Sequence, residues 1–155
     1  MAVKLTTQQK GRCGELFVQY MLLKYGIESA RLTTDPGIDL LAYPLVPSDT
    51  HPFYRPYTIQ VKTSSHHRGK KNDDTWLEWT LLNTKFPTDL VCLVDLERSK
   101  LWFFRLEEFR AKATNKNQRI WWAPPGHEYK RAKQHEEDFS SYEGEKGILR
   151  ILDAT

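Results

Sequence analysis

The sequence predicts an α/β domain of the α+β kind: a central mixed β-sheet flanked by helices, in the order α-β-β-β-α-β-β-α. Three observations carry this expectation. Residues 7 to 25 repeat apolar side chains at helical spacing, three strand-like runs separated by turn residues follow before residue 65, and the apolar runs LVCLVDL and KLWFFRL flank a turn at Glu97 to Ser99.

The first helix has Thr6 or Thr7 available as a cap, Leu16, Phe17, Tyr20, Met21 and Leu23 as its apolar residues, and Gly26 as a stop. Gly11 and Gly14 weaken its opening turns by up to ~1 kcal/mol each relative to Ala, so a close backbone approach to a neighbour or ligand is a reason for their presence. ESARLTT then reads as a short strand, DPG as a turn and IDLLAY as a second strand. A Pro-rich loop, PLVPSDTHPFYRP, leads to YTIQVKTS as the third. After the polar segment SHHRGKKNDD, the spacing of Trp76, Trp79, Leu82 and Phe86 favours a helix over a strand. LEEFRAKA forms a helix after the aromatic strand KLWFFRL. Beyond Asn115 the signal weakens: WWAPPGHEYK carries a Pro-Pro-Gly break, HEYKRAKQHEEDF a charged exposed helix, and ILRIL a strand or a surface-packed segment.

With 155 residues the chain is the size of one domain, 1–155, its core spanning about 7–112 and residues 113–155 forming a peripheral extension. No apolar run approaches the roughly 20 residues of a membrane helix, and the start, MAVKLTTQQKGRCGE, lacks the apolar stretch of a secretory signal, so a cytoplasmic protein is expected. Cys13 and Cys92 read as small buried hydrophobes in a reducing compartment; a zinc site would need more sulfur or a tight Cys/His spacing. The net charge of +3 permits a polyanionic partner without requiring one, but HHRGKK and YKRAK concentrate the cations.

One polar cluster stands out. On YTIQVKTS the alternation of side chains puts Gln60 and Lys62 together on one face, about 7 Å apart. On the preceding strand Asp39 sits between Ile38 and Leu40, where a carboxylate is costly unless charged or hydrogen-bonding groups meet it. Antiparallel pairing of the two strands lets Asp39 lie across from Gln60 and Lys62, and Glu15 on the first helix can point to the same spot. Two carboxylates and an amide oxygen suit a hard divalent cation, and a lysine suits the water beside it.

These residues resemble the PD-(D/E)XK nuclease superfamily, in particular its Mrr-like and Holliday-junction-resolvase-like branch with a QxK motif. The resemblance rests on GRCGE at 11–15, DPGIDLLAY at 35–43 and QVKTS at 60–64, covers roughly the first 65 residues well, and extends through about residue 112 in outline. It implies a restriction-endonuclease-like fold and a divalent-metal-dependent endonuclease that hydrolyses DNA phosphodiester bonds. Its catalytic residues would be Glu15, Asp39, Gln60 and Lys62, and Mg2+ or Mn2+ would be held by Asp39, Gln60, the Val61 carbonyl and Glu15. Gln60 departs from the acid of the parent motif, which weakens the site's anionic charge. A second reading follows: a catalytically degenerate nucleic-acid-binding or protein-interaction module on the same fold. Asp35, before Pro36, has an ordinary turn role. His67, Arg68, Lys70 and Lys71 are placed to touch a phosphate backbone. His66 and His67, adjacent on a loop, make a poor chelating pair. Of the tryptophans, Trp76, Trp79 and Trp102 are expected in the core, with Trp121 and Trp122 open between core and base stacking. The resemblance implies DNA as the partner; no membrane is expected, and the small domain allows a homodimer.

Overall fold

The computed structural model describes residues 3–33, 37–44, 56–70, 74–82, 87–114, 116 and 118–153. Helix α1 (Thr7–Lys24) starts at Thr6, whose hydroxyl accepts from the Gln9 amide while the Gln9 side chain accepts from the Thr6 amide; Gly26, at φ +72°, supplies the left-handed turn at its end. Its buried face is Gly14, Val18 and Leu22, with Phe17 and Met21 packed beside them. Leu16, Tyr20 and Leu23, expected to pack inward, are instead half or more exposed. They lie on the far side of the helix from the sheet.

Strands β1 (Ile27–Arg31), β2 (Leu40–Pro44) and β3 (Tyr57–Ser64) form the expected antiparallel meander. After them come β4 (His67–Arg68), β5 (Thr75–Thr80), β6 (Leu90–Asp95), β7 (Lys100–Arg105), helix α2 (Leu106–Lys112), β8 (Arg119–Trp122), a 3-10 helix (Glu136–Tyr142) and helix α3 (Gly144–Asp153). The main sheet has the order β1-β2-β3-β6-β7, and β3 pairs with β6 in parallel while the other neighbours are antiparallel. The fold is therefore α+β with a mixed five-stranded sheet flanked by helices. A second sheet, β4-β5-β8, has three strands.

The segment from Thr75 is strand where a helix was expected. Leu77, Trp79 and Leu81 alternate as buried residues with Trp76, Glu78 and Thr80, and Leu77 to Thr80 pair with Arg119 to Trp122. A period of two thus prevails over the i, i+3 coincidence of Trp76 and Trp79. Phe86 lies outside the described residues. ILRIL lies within α3 rather than forming a strand, and the segment HEYKRAKQ forms turns and isolated bridges before the 3-10 helix.

The two faces of the sheet bury two cores. On one, Val18 and Leu22 of α1 meet Ile59, Val61, Cys92, Phe103 and, from α3, Ile148 and Ile151. On the other, Val91, Leu93, Trp102 and Phe104 meet Leu77, Trp79, Ile120, Trp122 and Phe139. From the segment expected as a peripheral extension, Ile120, Trp122 and Phe139 enter one core and Ile148 and Ile151 the other, because each face of a central sheet must be covered. Cys92 is buried in the first core, and burial pushes its thiol well up; Cys13, expected to be buried, is only half-buried. No described helix is long and apolar enough to cross a membrane.

Candidate functional site

β3 supplies the frame. Ile59, Val61 and Thr63 face α1, so Gln60 and Lys62 share the opposite face, as the alternation requires. Gly14 is the reason α1 sits so close: a Cβ at that position would lie 1.9 Å from Thr63 Oγ1. Glu15, the next residue, is thereby carried to the sheet. Gly11 has open space at the same distance and makes no such approach.

Leu40 pairs with Ile59, which brings Asp39 level with Gln60 and Val61. The Asp39 amide donates to the Ile59 carbonyl, and its carboxylate Oδ2 accepts from the Val61 amide at 2.7 Å. On an extended strand the N–H and C=O of one residue point toward the same neighbour, so the Val61 carbonyl opens toward the Asp39 side. Burial pushes the Asp39 carboxyl above the usual carboxylate range. The Val61 hydrogen bond opposes that shift, the negative charge of Glu15 adds to it, and the charges of Lys62 and Arg31 pull it back. Glu15, Lys62 and Arg31 each act on the Asp39 carboxylate, Glu15 from the helix on one face of the sheet and Lys62 from the other face of β3; Arg31 is a cation that the sequence reading did not single out.

Glu15 is only 14% exposed at its side chain, and one oxygen, Oε2, accepts from both Arg12 Nη1 and Arg31 Nε at 2.9 Å. Its other oxygen carries no hydrogen bond among the described residues. Lys62, half-buried, has neither an ion pair nor a hydrogen bond among the described residues. Gln60 is buried, and its Oε1 has no hydrogen-bond partner among the described residues. An orphaned buried amide oxygen costs about 1–3 kcal/mol, and a cation or its water is a physical remedy. The donors are oxygens of two carboxylates, an amide and a backbone carbonyl, a set that fits a hard divalent ion. Among the described residues no group of three or more His, Cys, Asp or Glu is placed to hold a metal, so such an ion depends on the amide and carbonyl oxygens.

Of the expected phosphate-contacting residues, His67, Arg68 and Lys70 are exposed; Lys71 and the turn residue Asp35 lie outside the described residues. His66 has a different role from its neighbour. Its Nε2 lies 3.1 Å from the fully buried Asp95, whose carboxylate also accepts from Arg98, and Arg98 continues to Glu136. Lys100 Nζ and Trp122 Nε1 donate to Glu136 as well. Burial alone would raise the Glu136 carboxyl, but the hydrogen bonds and charges of Arg98 and Lys100 outweigh it and hold the group below the ordinary range. This network ties β7 to the 3-10 helix and is structural. Trp79, Trp102 and Trp122 fill the core, whereas Trp76, expected there, is only half-buried and stands on the outer face of the small sheet with Trp121.

The chain matches no family model and no curated protein sequence. Its fold is similar to that of a bacterial homing endonuclease, I-Ssp6803I, with a TM-score of 0.64 over 97% of this chain and 94% of that one, at 17% sequence identity.

Proposed function

We propose that this protein is a divalent-metal-dependent endonuclease acting on DNA phosphodiester bonds, with Asp39, Gln60, Lys62 and Glu15 as its site. The observation that carries the reading is the buried, partnerless amide oxygen of Gln60 level with the Asp39 carboxylate, with the unpaired Lys62 two residues along on the same face. The fold it shares with a homing endonuclease supports the same reading. The resemblance to the QxK branch of the PD-(D/E)XK superfamily agrees with this reading: GRCGE lies on α1, Asp39 directly precedes β2, and QVKTS lies on β3.

Asp39, the Gln60 amide, the Val61 carbonyl and Glu15 would hold Mg2+ or Mn2+, which when bound supplies a positive charge against the phosphate and a more acidic water. The remaining work falls to the chain. Lys62, committed to no carboxylate by an ion pair, donates a hydrogen bond to a phosphate oxygen as negative charge builds there. Arg31 and Arg12 hold one oxygen of the Glu15 carboxylate and leave the second open for an ion. Gly14 sets the depth of Glu15 through the contact of α1 with Thr63. Pairing of two copies, each serving one strand of a duplex, belongs to the same proposal and is checked by sedimentation with and without DNA.

Incubation of supercoiled and linear DNA with Mg2+ or Mn2+ tests the enzymatic reading. The wild-type protein should nick or cut, and Lys62→Ala should lower the rate by about 10²–10³-fold while unfolding at the same denaturant concentration. No cleavage of either DNA form with either ion would refute it. Two observations favour the degenerate binding module instead: a Glu15 oxygen is already taken by two guanidinium groups, and Gln60 stands where the resembled motif has an acid. That reading predicts salt-dependent DNA binding or a protein partner, with no affinity for either ion.

A further inference from the structure

The small sheet has two faces of opposite character. Leu77, Trp79, Ile120 and Trp122 point into the core, so the alternation of β5 and β8 turns Trp76, Glu78, Arg119 and Trp121 outward. On this outer face three rings form a column: His67 stacks on Trp76 with centroids 5.4 Å apart and planes 19° from parallel, and Trp76 stacks on Tyr129 at 4.6 Å and 16°. Trp121 meets Tyr129 edge-on at 5.3 Å, and the Arg119 guanidinium lies 4.1 Å over the Trp121 ring. Glu78 is neutralised there by Arg119 at 2.7 Å and accepts from Trp76 Nε1.

From this arrangement we infer that the outer face of the β4-β5-β8 sheet binds an unpaired nucleic-acid strand, stacking its bases on the ring column and its phosphates against the flanking cations. The inference deepens the proposed function and rests on it for the class of partner. Two independent features favour this occupant. First, the column is sequence-tolerant stacking surface that remains open: His67 is exposed, and among the described residues no ring packs on its far side. Second, the rim is complementary to a polyanion, with Arg68 and Lys70 exposed beside His67, and Lys130 and Arg131 exposed directly after Tyr129. An apolar peptide would gain nothing from those cations.

The face also adjoins the candidate site. Ser64 ends β3 and His67 begins β4, so Lys62 and His67 are five residues apart along the chain, a span of at most about 18 Å. A strand lying on the column is therefore within that distance of Lys62. In this arrangement the protein grips an unpaired segment next to the phosphodiester it acts on.

Trp76 and Trp121 make the test direct, because their fluorescence reports on stacking. The protein is titrated in EDTA, which prevents cleavage, with a short oligothymidylate and separately with a duplex of the same length. The single strand is expected to quench the fluorescence and to bind more tightly than the duplex. Tyr129→Ala and His67→Ala should each weaken it by about 5- to 150-fold, whereas Tyr129→Phe, which keeps the ring, should bind as the wild type does. Lys130→Gln with Arg131→Gln should reduce the slope of log affinity against log salt by about 1.4. Tighter binding of the duplex, no quenching, or Tyr129→Ala without effect overturns the inference. So does capture of a protein by this face with no nucleic-acid binding. Its failure and that of the endonuclease reading are separable: cleavage that depends on Lys62 without single-strand binding refutes only the stacking face, and single-strand binding without cleavage in Mg2+ or Mn2+ refutes only the enzyme.

Discussion

Substituting alanine at Gly14 and, separately, at Gly11 perturbs one helix at two positions three residues apart, with opposite expected signs. At Gly11 a new Cβ meets nothing within 4 Å, so the variant should gain helix propensity and unfolded-state restriction, about 0.5–1 kcal/mol. At Gly14 the same gain is opposed by contact with Thr63, whose Oγ1, Cβ and Cγ2 would lie 1.9, 3.1 and 3.2 Å from the added carbon. Rotating the Thr63 hydroxyl away removes the worst contact but leaves the Cβ approach, so α1 must shift by a few tenths of an ångström. Overpacking of this kind costs about 1–3 kcal/mol. The two variants should therefore differ by about that amount, which for a chain of this size separates their thermal midpoints by roughly 2–12 °C. Urea unfolding with unchanged m-value gives the free energies, and, on the proposed endonuclease function, slower cleavage of supercoiled DNA is the expected consequence, since a displaced α1 carries Glu15 with it. In a double-mutant cycle, Thr63→Ala should recover most of the loss at Gly14. If Gly14→Ala is as stabilising as Gly11→Ala, helix and strand do not approach as described, and Glu15 is not delivered to the sheet.

Two further expectations concern carboxylates. Because burial raises the folded-state Asp39 carboxyl, its contribution to stability is fully present below the ordinary carboxylate range and is lost as pH rises through the raised value. Asp39→Asn should thus make the metal-free protein more stable at neutral pH and remove part of the rise in stability on mild acidification, as denaturant unfolding between pH 4 and 7 would show; equal pH profiles for the two proteins contradict the assigned shift. Glu136 behaves in the opposite sense: its lowered carboxyl contributes stability that is present above the ordinary range and lost as pH falls through the folded value. Glu136→Ala leaves Arg98 and Lys100 without their shared partner and should cost about 3–5 kcal/mol at neutral pH, read from the same unfolding curves; a loss below 1 kcal/mol contradicts the network.

Much of the fold was legible because its strands announce themselves locally. YTIQVKTS spans β3, and LVCLVD and KLWFFR match β6 and β7, since each run is bounded by turn residues and rich in β-branched or aromatic side chains. The candidate site was legible for a related reason: Asp39, Gln60 and Lys62 are polar residues in otherwise apolar runs, and a polar residue that a strand must bury calls for a partner. What escaped the sequence depends on tertiary contact. TWLEWT carries both periods within six residues, and only its pairing with RIWW selects the strand. The apolar stripe Leu16, Tyr20 and Leu23 looked like a core face, yet Gly14 and Thr63 fix the opposite side of α1 against the sheet. Arg31 gave no local signal, because its role arises only when the end of β1 reaches Glu15 across space. The ring column joins His67, Trp76 and Tyr129 from three separate segments, and no spacing rule connects them.

Calorimetric titration of Mn2+ into the metal-free protein, repeated on Asp39→Asn and Gln60→Leu, puts the shared-oxygen site to trial. Binding of one ion by the wild type, weakened at least about tenfold by either substitution while the fold is retained, is the outcome expected of carboxylate and amide acting on a single cation. Wild-type and substituted proteins taking up Mn2+ with the same affinity, or none of them taking it up at all, would contradict it.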